Sequence, residues 1–197
     1  LLECMMKDSP NKYGLLRDNH MCFTGGEPML GFNQEAIIDV MREFMADDNV
    51  PPSVTIETNG TQDLDFEAGF VTMIDDYVEN CGGELFWSVS PKLFTVSGEK
   101  NEKAIKPEHV KNYYDLSKNG QLKFVVNGTK ECWKEVEDVI RSFRAIGINF
   151  PTWIMPVSAT KEGQEAVAGE IATQALKRGY KVSARVHCYL WGNIVGV

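Results

Sequence analysis

Thr24-Gly25-Gly26-Glu27-Pro28 holds the residues best suited to ligand chemistry. Two adjacent glycines can take backbone conformations closed to other residues, and they let a ligand approach bare N–H and C=O groups. Glu27 can accept hydrogen bonds from an ammonium, and Pro28 fixes the exit angle of the turn. The apolar run Met21-Cys22-Phe23 reads as a buried strand, so the glycines stand where it ends. A site that grips an amino acid by its backbone-like end would be built this way. A plain strand-to-helix turn would use the same glycines. Against that plainer reading, related polar signatures close the strands that follow.

Those strand ends are Glu57-Thr58-Asn59-Gly60, Ser90-Pro91-Lys92, Asn127-Gly128, Ser158 and the region of His187. In α/β barrels and open α/β sheets, ligands bind at the carboxyl edge, because the loops after the strands surround it. Six polar strand ends are better explained by one shared site than by six separate turns.

The elements that must position them alternate along the chain. The strands read as 21–23, Val54–Thr58, Leu85–Ser90, Gln121–Val126, Thr152–Val157 and Lys181–Tyr189. Helices read as Asn33–Asp47, about Phe66–Glu79, a segment carrying Val136, Val139, Ile140, Phe143 and Ile146, and Gln164–Arg178. Leu93–Pro107 is charged and poorly patterned and reads as a surface loop. Strands separated by helices of about a dozen residues imply an α/β fold of mostly parallel strands joined by right-handed crossovers. The whole chain, 1–197, reads as one domain.

In the last strand, Val182, Ala184, Val186 and Cys188 alternate with Ser183, Arg185, His187 and Tyr189. An exposed outer strand would give the same pattern, and the pattern alone does not separate the two. If helices cover the apolar face, Arg185 and His187 look inward and need an anionic ligand or an acidic partner such as Glu57. Lys123 raises the same question on its own strand, where a snorkelling surface lysine is the plainer reading.

Composition sets outer limits. A net charge of −8 argues against a nucleic-acid surface, and no stretch approaches the length of a membrane span. The five cysteines (Cys4, Cys22, Cys81, Cys132 and Cys188) are dispersed and odd in number. That is the usage of a reduced, cytoplasmic protein with mostly buried thiols, Cys22 among them, and it offers no metal-ligand spacing. The expectation for metal ligands in this chain is none.

Taken in order, these motifs resemble a known family. Thr24-Gly25-Gly26-Glu27-Pro28 is similar to the S-adenosylmethionine-binding motif of radical S-adenosylmethionine enzymes. With Ile56-Glu57-Thr58-Asn59-Gly60-Thr61 and Ser88-Val89-Ser90-Pro91-Lys92, it resembles the 7-carboxy-7-deazaguanine synthases. Leu122-Lys123-Phe124-Val125-Val126, Met155-Pro156-Val157-Ser158-Ala159-Thr160 and Ser183-Ala184-Arg185-Val186-His187 agree with that family. The resemblance implies a partial (β/α) barrel and a cytoplasmic homodimer acting on a small pterin, with no nucleic-acid or membrane partner.

It also implies roles. Gly25, Gly26 and Glu27 would hold the methionine amino group, and Ser90, Pro91, Lys92, Met155 and Pro156 would also contact S-adenosylmethionine. Thr24, Glu57, Asn59, Lys123, Arg185, His187 and the Val197 carboxylate would face 6-carboxy-5,6,7,8-tetrahydropterin. In the implied reaction, a 4Fe-4S cluster reduced by flavodoxin or ferredoxin cleaves S-adenosylmethionine to a 5′-deoxyadenosyl radical. Hydrogen abstraction and ring contraction, assisted by Mg2+, then give 7-carboxy-7-deazaguanine and ammonia, a lyase reaction of queuosine-type biosynthesis.

One part of the family pattern is missing. The Cys-x-x-x-Cys-x-x-Cys loop that holds the cluster, and the Mg2+ ligand beside it, do not occur in these 197 residues. The expectation is that the first strand and the cluster loop lie upstream of Leu1, and that this chain alone is inactive. Two rival readings are a radical activase acting on a protein partner and a non-catalytic relative that binds S-adenosylmethionine or pterin.

Overall fold

The computed structural model describes residues 19–46 and 49–192. Six strands form one sheet: β1 (His20–Phe23), β2 (Ser53–Thr58), β3 (Glu84–Val89), β4 (Gly120–Val126), β5 (Thr152–Pro156) and β6 (Lys181–Val182). All neighbours run parallel, and the order across the sheet is the order along the chain. Around it lie α1 (Gly31–Ala46), α2 (Phe70–Glu79), α3 (Phe94–Ser97), α4 (Asn101–Ala104), α5 (Pro107–Leu116), α6 (Lys130–Ala145), α7 (Lys161–Lys177) and α8 (Val186–Trp191). This is an α/β fold with the winding of a partial (β/α) barrel. A strand order with no reversal keeps the crossover helices on one side of the sheet and leaves the other side to form an inner face.

Side-chain alternation sorts the residues between the two sides. Met21, Val54, Ile56, Leu85, Trp87, Val89, Leu122, Phe124, Val126 and Ile154 are buried on the helix side, against residues such as Met41, Phe44, Tyr113, Val136 and Phe143. The opposite parity carries Cys22, Thr55, Glu57, Ser88, Lys123, Val125 and Met155 on the inner face. A sheet with one apolar side and one mixed side has a reason to hold a polar ligand.

Several boundaries differ from the sequence expectation. The last strand is not Lys181–Tyr189 but the two residues Lys181–Val182, followed by the helix α8. Pro156 explains the stop. Ser183 donates its N–H to Ile154 O at 2.9 Å, so Ile154 faces β6, and two residues on Pro156 faces it too, with no N–H to give. Leu93–Pro107 is not a loop throughout, because it contains α3 and α4. Each is a single turn with at most one buried side chain, too short to print a periodic stripe.

Helix α2 begins at Phe70, not near Phe66. Asp65 Oδ1 takes the N–H groups of Glu67 and Ala68 in a separate turn, and Gly69 enters the helix at φ +85°. Helix α7 begins earlier than expected, where Thr160 Oγ1 accepts the Gly163 N–H at 3.2 Å. Cys22 is exposed, not buried, because its parity on β1 places it on the inner face. Asp47, the expected end of α1, lies outside the described residues, as do Cys4 and Val197. No helix among the described residues is long and apolar enough to cross a membrane.

Candidate functional site

The glycine turn leaves β1 with both glycines in the left-handed region, Gly25 at φ +88° and Gly26 at φ +59°. No atom lies within 4 Å of the point where a Cβ would stand on either. The glycines therefore serve the backbone conformation and leave open space in front of it, room a ligand could take. Both line a cleft of about 650 Å³ at the carboxyl ends of the strands.

Glu27 is committed to the protein. Its Oε1 accepts from the Thr58 hydroxyl at 2.6 Å and from the Met29 N–H at 3.0 Å, while Oε2 accepts from the Asn59 N–H at 2.8 Å. The carboxylate thus fastens the turn after β1 to the end of β2. The glycines, and not this side chain, present the free polar groups of the turn.

The inner face carries an ion pair at its centre. Lys123 Nζ on β4 donates to Glu57 Oε1 on β2 at 3.0 Å, and the Thr24 hydroxyl donates to Glu57 Oε2 at 3.0 Å. Burial alone would raise the Glu57 carboxyl. The bond and charge of Lys123, the Thr24 hydroxyl and the nearby Lys92 charge outweigh it and hold the group below the ordinary carboxylate value. The neighbouring Cys22 is exposed, yet the protein on its flanks removes part of its water, and this partial desolvation, then the Glu57 charge, pushes the thiol up, which keeps it a thiol at neutral pH.

Around this pair the cleft gathers Thr24, Glu57, Asn59, Ser90, Lys92, Lys123, Met155 and Arg185 with the glycine turn. Pro91 and Pro156 are buried and do not line it. Asn59 closes its own turn, with Oδ1 accepting the Thr61 N–H at 2.8 Å. Arg185 stands just before α8 and donates from Nη1 to the Ser158 carbonyl at 3.1 Å, whereas Glu57 pairs with Lys123. His187 lies within α8, so the expected strand face shared by Arg185 and His187 does not exist.

Thr58, Ser88, Val125 and Ala184 also line the cleft and were missed by sequence reasoning. Ser88 and Val125 had a usable signal, since they share the parity of Ser90 and Lys123. Thr58 was read only as part of the polar strand end Glu57–Gly60: its parity points to the helix side, and its hydroxyl works within the protein, accepting the Gly60 N–H at 3.0 Å and donating to the distant carboxylate of Glu27.

Among the described residues no group of three His, Cys, Asp or Glu side chains could hold a metal ion. Cys22 and Cys81 are exposed and Cys132 and Cys188 are buried. These residues do not fit a 4Fe-4S cluster or a Mg2+ site, whereas the cleft and its glycine turn do fit an amino-acid-bearing ligand.

No family model matches the chain, and no solved structure matches it. Among curated proteins, it is similar to the 7-carboxy-7-deazaguanine synthase of Halobacterium salinarum, 27% identical over 193 residues, covering 89% of this chain and 66% of that protein. The proteins of the same name from Pyrobaculum aerophilum and Rhodopirellula baltica are 28% and 24% identical over 180 and 184 residues. Those matches cover 90% and 88% of this chain, and 67% and 62% of the relatives. The chain thus spans about two thirds of the length of the curated relatives it matches.

Proposed function

We propose that this chain, a relative of the 7-carboxy-7-deazaguanine synthases, binds S-adenosylmethionine and a carboxylated tetrahydropterin in the cleft over its inner sheet face. The activity is the ring contraction of 6-carboxy-5,6,7,8-tetrahydropterin to 7-carboxy-7-deazaguanine with loss of ammonia, a carbon–nitrogen lyase reaction of queuosine-type biosynthesis. One observation carries the reading: a glycine turn with open space before it shares one cleft with polar residues from the other strand ends.

The residues divide the work. Gly25 and Gly26 offer backbone groups to the methionine end, with Ser90, Lys92 and Met155 along the same ligand. With Lys123 paired to Glu57, Lys92 and Arg185 outnumber the one other acid of the lining, Glu27, and make the cleft attractive to a carboxylate in a protein of net charge −8. Glu57, held charged by Lys123 and Thr24, offers an acceptor to pterin N–H groups or a ribose hydroxyl. His187 and Val197 complete the pterin side of the proposal.

S-adenosylmethionine, when bound beside a reduced iron–sulfur cluster, supplies the hydrogen-abstracting chemistry. The described residues do not themselves provide for the cluster or for Mg2+; what they contribute is binding, orientation and exclusion of water. A flavodoxin- or ferredoxin-type electron donor, a homodimer, a single-domain chain and a cytoplasmic setting belong to the same proposal.

The test is calorimetric titration of the purified protein with S-adenosylmethionine and, separately, with 6-carboxytetrahydropterin. Arg185→Lys replaces a planar fork with a point charge and is expected to weaken the pterin about ten- to a hundredfold, as loss of a charged hydrogen bond does. S-adenosylmethionine binding should change less. Equal losses for both ligands, or no binding of either by the wild-type protein, would sink the reading.

A further inference from the structure

We infer that Glu135, on α6 and outside the cleft, is a positioning residue that sets Ser90 and Lys92 for ligand; this rests on the reading of the cleft as the binding site. The starting point is a missing cap. Helix α3 follows Ser90-Pro91-Lys92 directly, and its N-cap is Leu93, which makes no side-chain cap bond. Leu93 is 2% exposed and belongs to the core. A polar capping residue at that position would lose the core contact, so the cap has to come from elsewhere.

Glu135 supplies it from 40 residues away. One carboxylate oxygen accepts the Phe94 N–H at 2.7 Å, and the other accepts the Thr95 N–H at 3.0 Å and the Thr95 hydroxyl at 2.6 Å. Asn127, in the turn after β4, adds a bond from Nδ2 to the Thr95 carbonyl at 3.0 Å. The loop after β3 is thereby bolted to α6 and to the β4 turn. At its other end, the Ser90 N–H reaches the Thr58 carbonyl at 2.7 Å. Ser90, at the first anchor, and Lys92, between the two, both stand on the cleft wall. Lys92 reaches into the field of Glu57, whose carboxyl its charge helps to hold down. Two anchors on five residues leave this wall little freedom to move, and a binding group held in place loses less freedom on engaging its ligand.

Glutamine cannot replace this carboxylate. Its single oxygen serves one side, and its NH2 then opposes either the Phe94 or the Thr95 N–H, donor against donor. Glu135→Gln is therefore the variant of choice. Thr95→Val is the milder companion, since it removes only the hydroxyl bond. Glu137→Gln is the control on the same helix, where Glu137 bonds Arg178 instead.

Two readouts decide the matter. In titrations with S-adenosylmethionine, Glu135→Gln is expected to bind between about threefold and tenfold more weakly, with Glu137→Gln unchanged. Combined with Lys92→Met, the loss should be less than additive, because both changes act through one contact. The second readout needs no ligand: the rate of Lys92 acylation by an amine-reactive ester, followed by mass spectrometry. It should shift at least about twofold in Glu135→Gln while the rate at Lys123 stays put. If wild-type protein binds S-adenosylmethionine and Glu135→Gln binds equally well, or the losses with Lys92→Met are strictly additive, the inference fails. If wild-type protein binds neither ligand, the proposed function falls. Acylation then judges Glu135 alone: a shifted Lys92 rate upholds its hold on the loop, and an unchanged rate overturns it.

Discussion

Glu27→Gln tests whether this carboxylate works as a clamp. Its two oxygens serve three donors: Oε1 takes the Thr58 hydroxyl and the Met29 N–H, and Oε2 takes the Asn59 N–H. Glutamine offers one oxygen and one NH2. With the oxygen in the Oε1 position, the NH2 faces the Asn59 N–H. In the other orientation it faces Met29, and although the Thr58 hydroxyl can rotate to accept, the Met29 N–H cannot. Either way one backbone N–H in a half-buried turn is left without a partner, at a cost of about 1–3 kcal/mol, and the surviving bonds lose their charge assistance. The expected destabilisation is about 2–3 kcal/mol. At about 2–4 °C per kcal/mol for a protein of this size, the unfolding midpoint should fall by roughly 4–12 °C. Circular dichroism during heating and a urea titration measure it. Thr58→Val removes the shortest of the three bonds, and the double variant should lose less than the sum. A Glu27→Gln midpoint within about 1 °C of wild type, or strict additivity with Thr58→Val, would refute the clamp and return Glu27 to the ligand.

Three further outcomes follow from the same geometry. Gly26→Val places a branched side chain in the open space before the turn, at a φ of +59° that valine resists, and is expected to abolish detectable S-adenosylmethionine binding; unchanged calorimetric binding would make the turn purely structural. Because the Glu57 carboxyl is held low, its contribution to stability is present above the ordinary carboxylate value and is lost as pH falls through that value to the folded one. Lys123→Met removes the nearest cation that opposes burial, so the Glu57 carboxyl rises and this acid loss should shrink or reverse, with the stability lost at neutral pH instead; urea midpoints that run parallel to wild type across the acid range would contradict this. Gly120→Ala would bring a Cβ to 2.7 Å from the Trp87 carbonyl and the Phe150 ring, with an expected cost of about 1–3 kcal/mol, whereas Gly169→Ala on α7 meets open space and should stabilise by about 0.5–1 kcal/mol, both read from urea midpoints.

What the sequence made legible was whatever depends on near neighbours. Val54–Thr58, Leu85–Ser90 and Gln121–Val126 read as strands because apolar, β-branched runs ended by Asn-Gly or Pro have few other structures open to them. The glycine turn was legible for the same reason, since adjacent glycines after a strand mark a backbone that other residues cannot follow. Alternation failed at 183–189, where Ser, Arg and His alternating with small apolar residues fit a strand and a short helix alike. The arbiter there was Pro156 on the neighbouring strand, about 30 residues away in sequence. Polar residues were the least legible, because the chemistry of a carboxylate depends on which donors the fold brings to it. Glu27 looked like a ligand for an ammonium and instead takes protein donors, two of them more than 30 residues away. Glu135 carried no signal at all, yet it caps a helix whose own N-cap position is occupied by a core leucine. Arg185 called for either an anionic ligand or an acidic partner such as Glu57, but Lys123 reaches Glu57 across β3, which leaves Arg185 with a carbonyl and an open cleft. That last rearrangement bears directly on the chemistry. With Glu57 matched by Lys123 and Glu27 as the other acid, Lys92 and Arg185 leave the cleft lining one cation in excess, the balance on which the proposed carboxylate ligand depends.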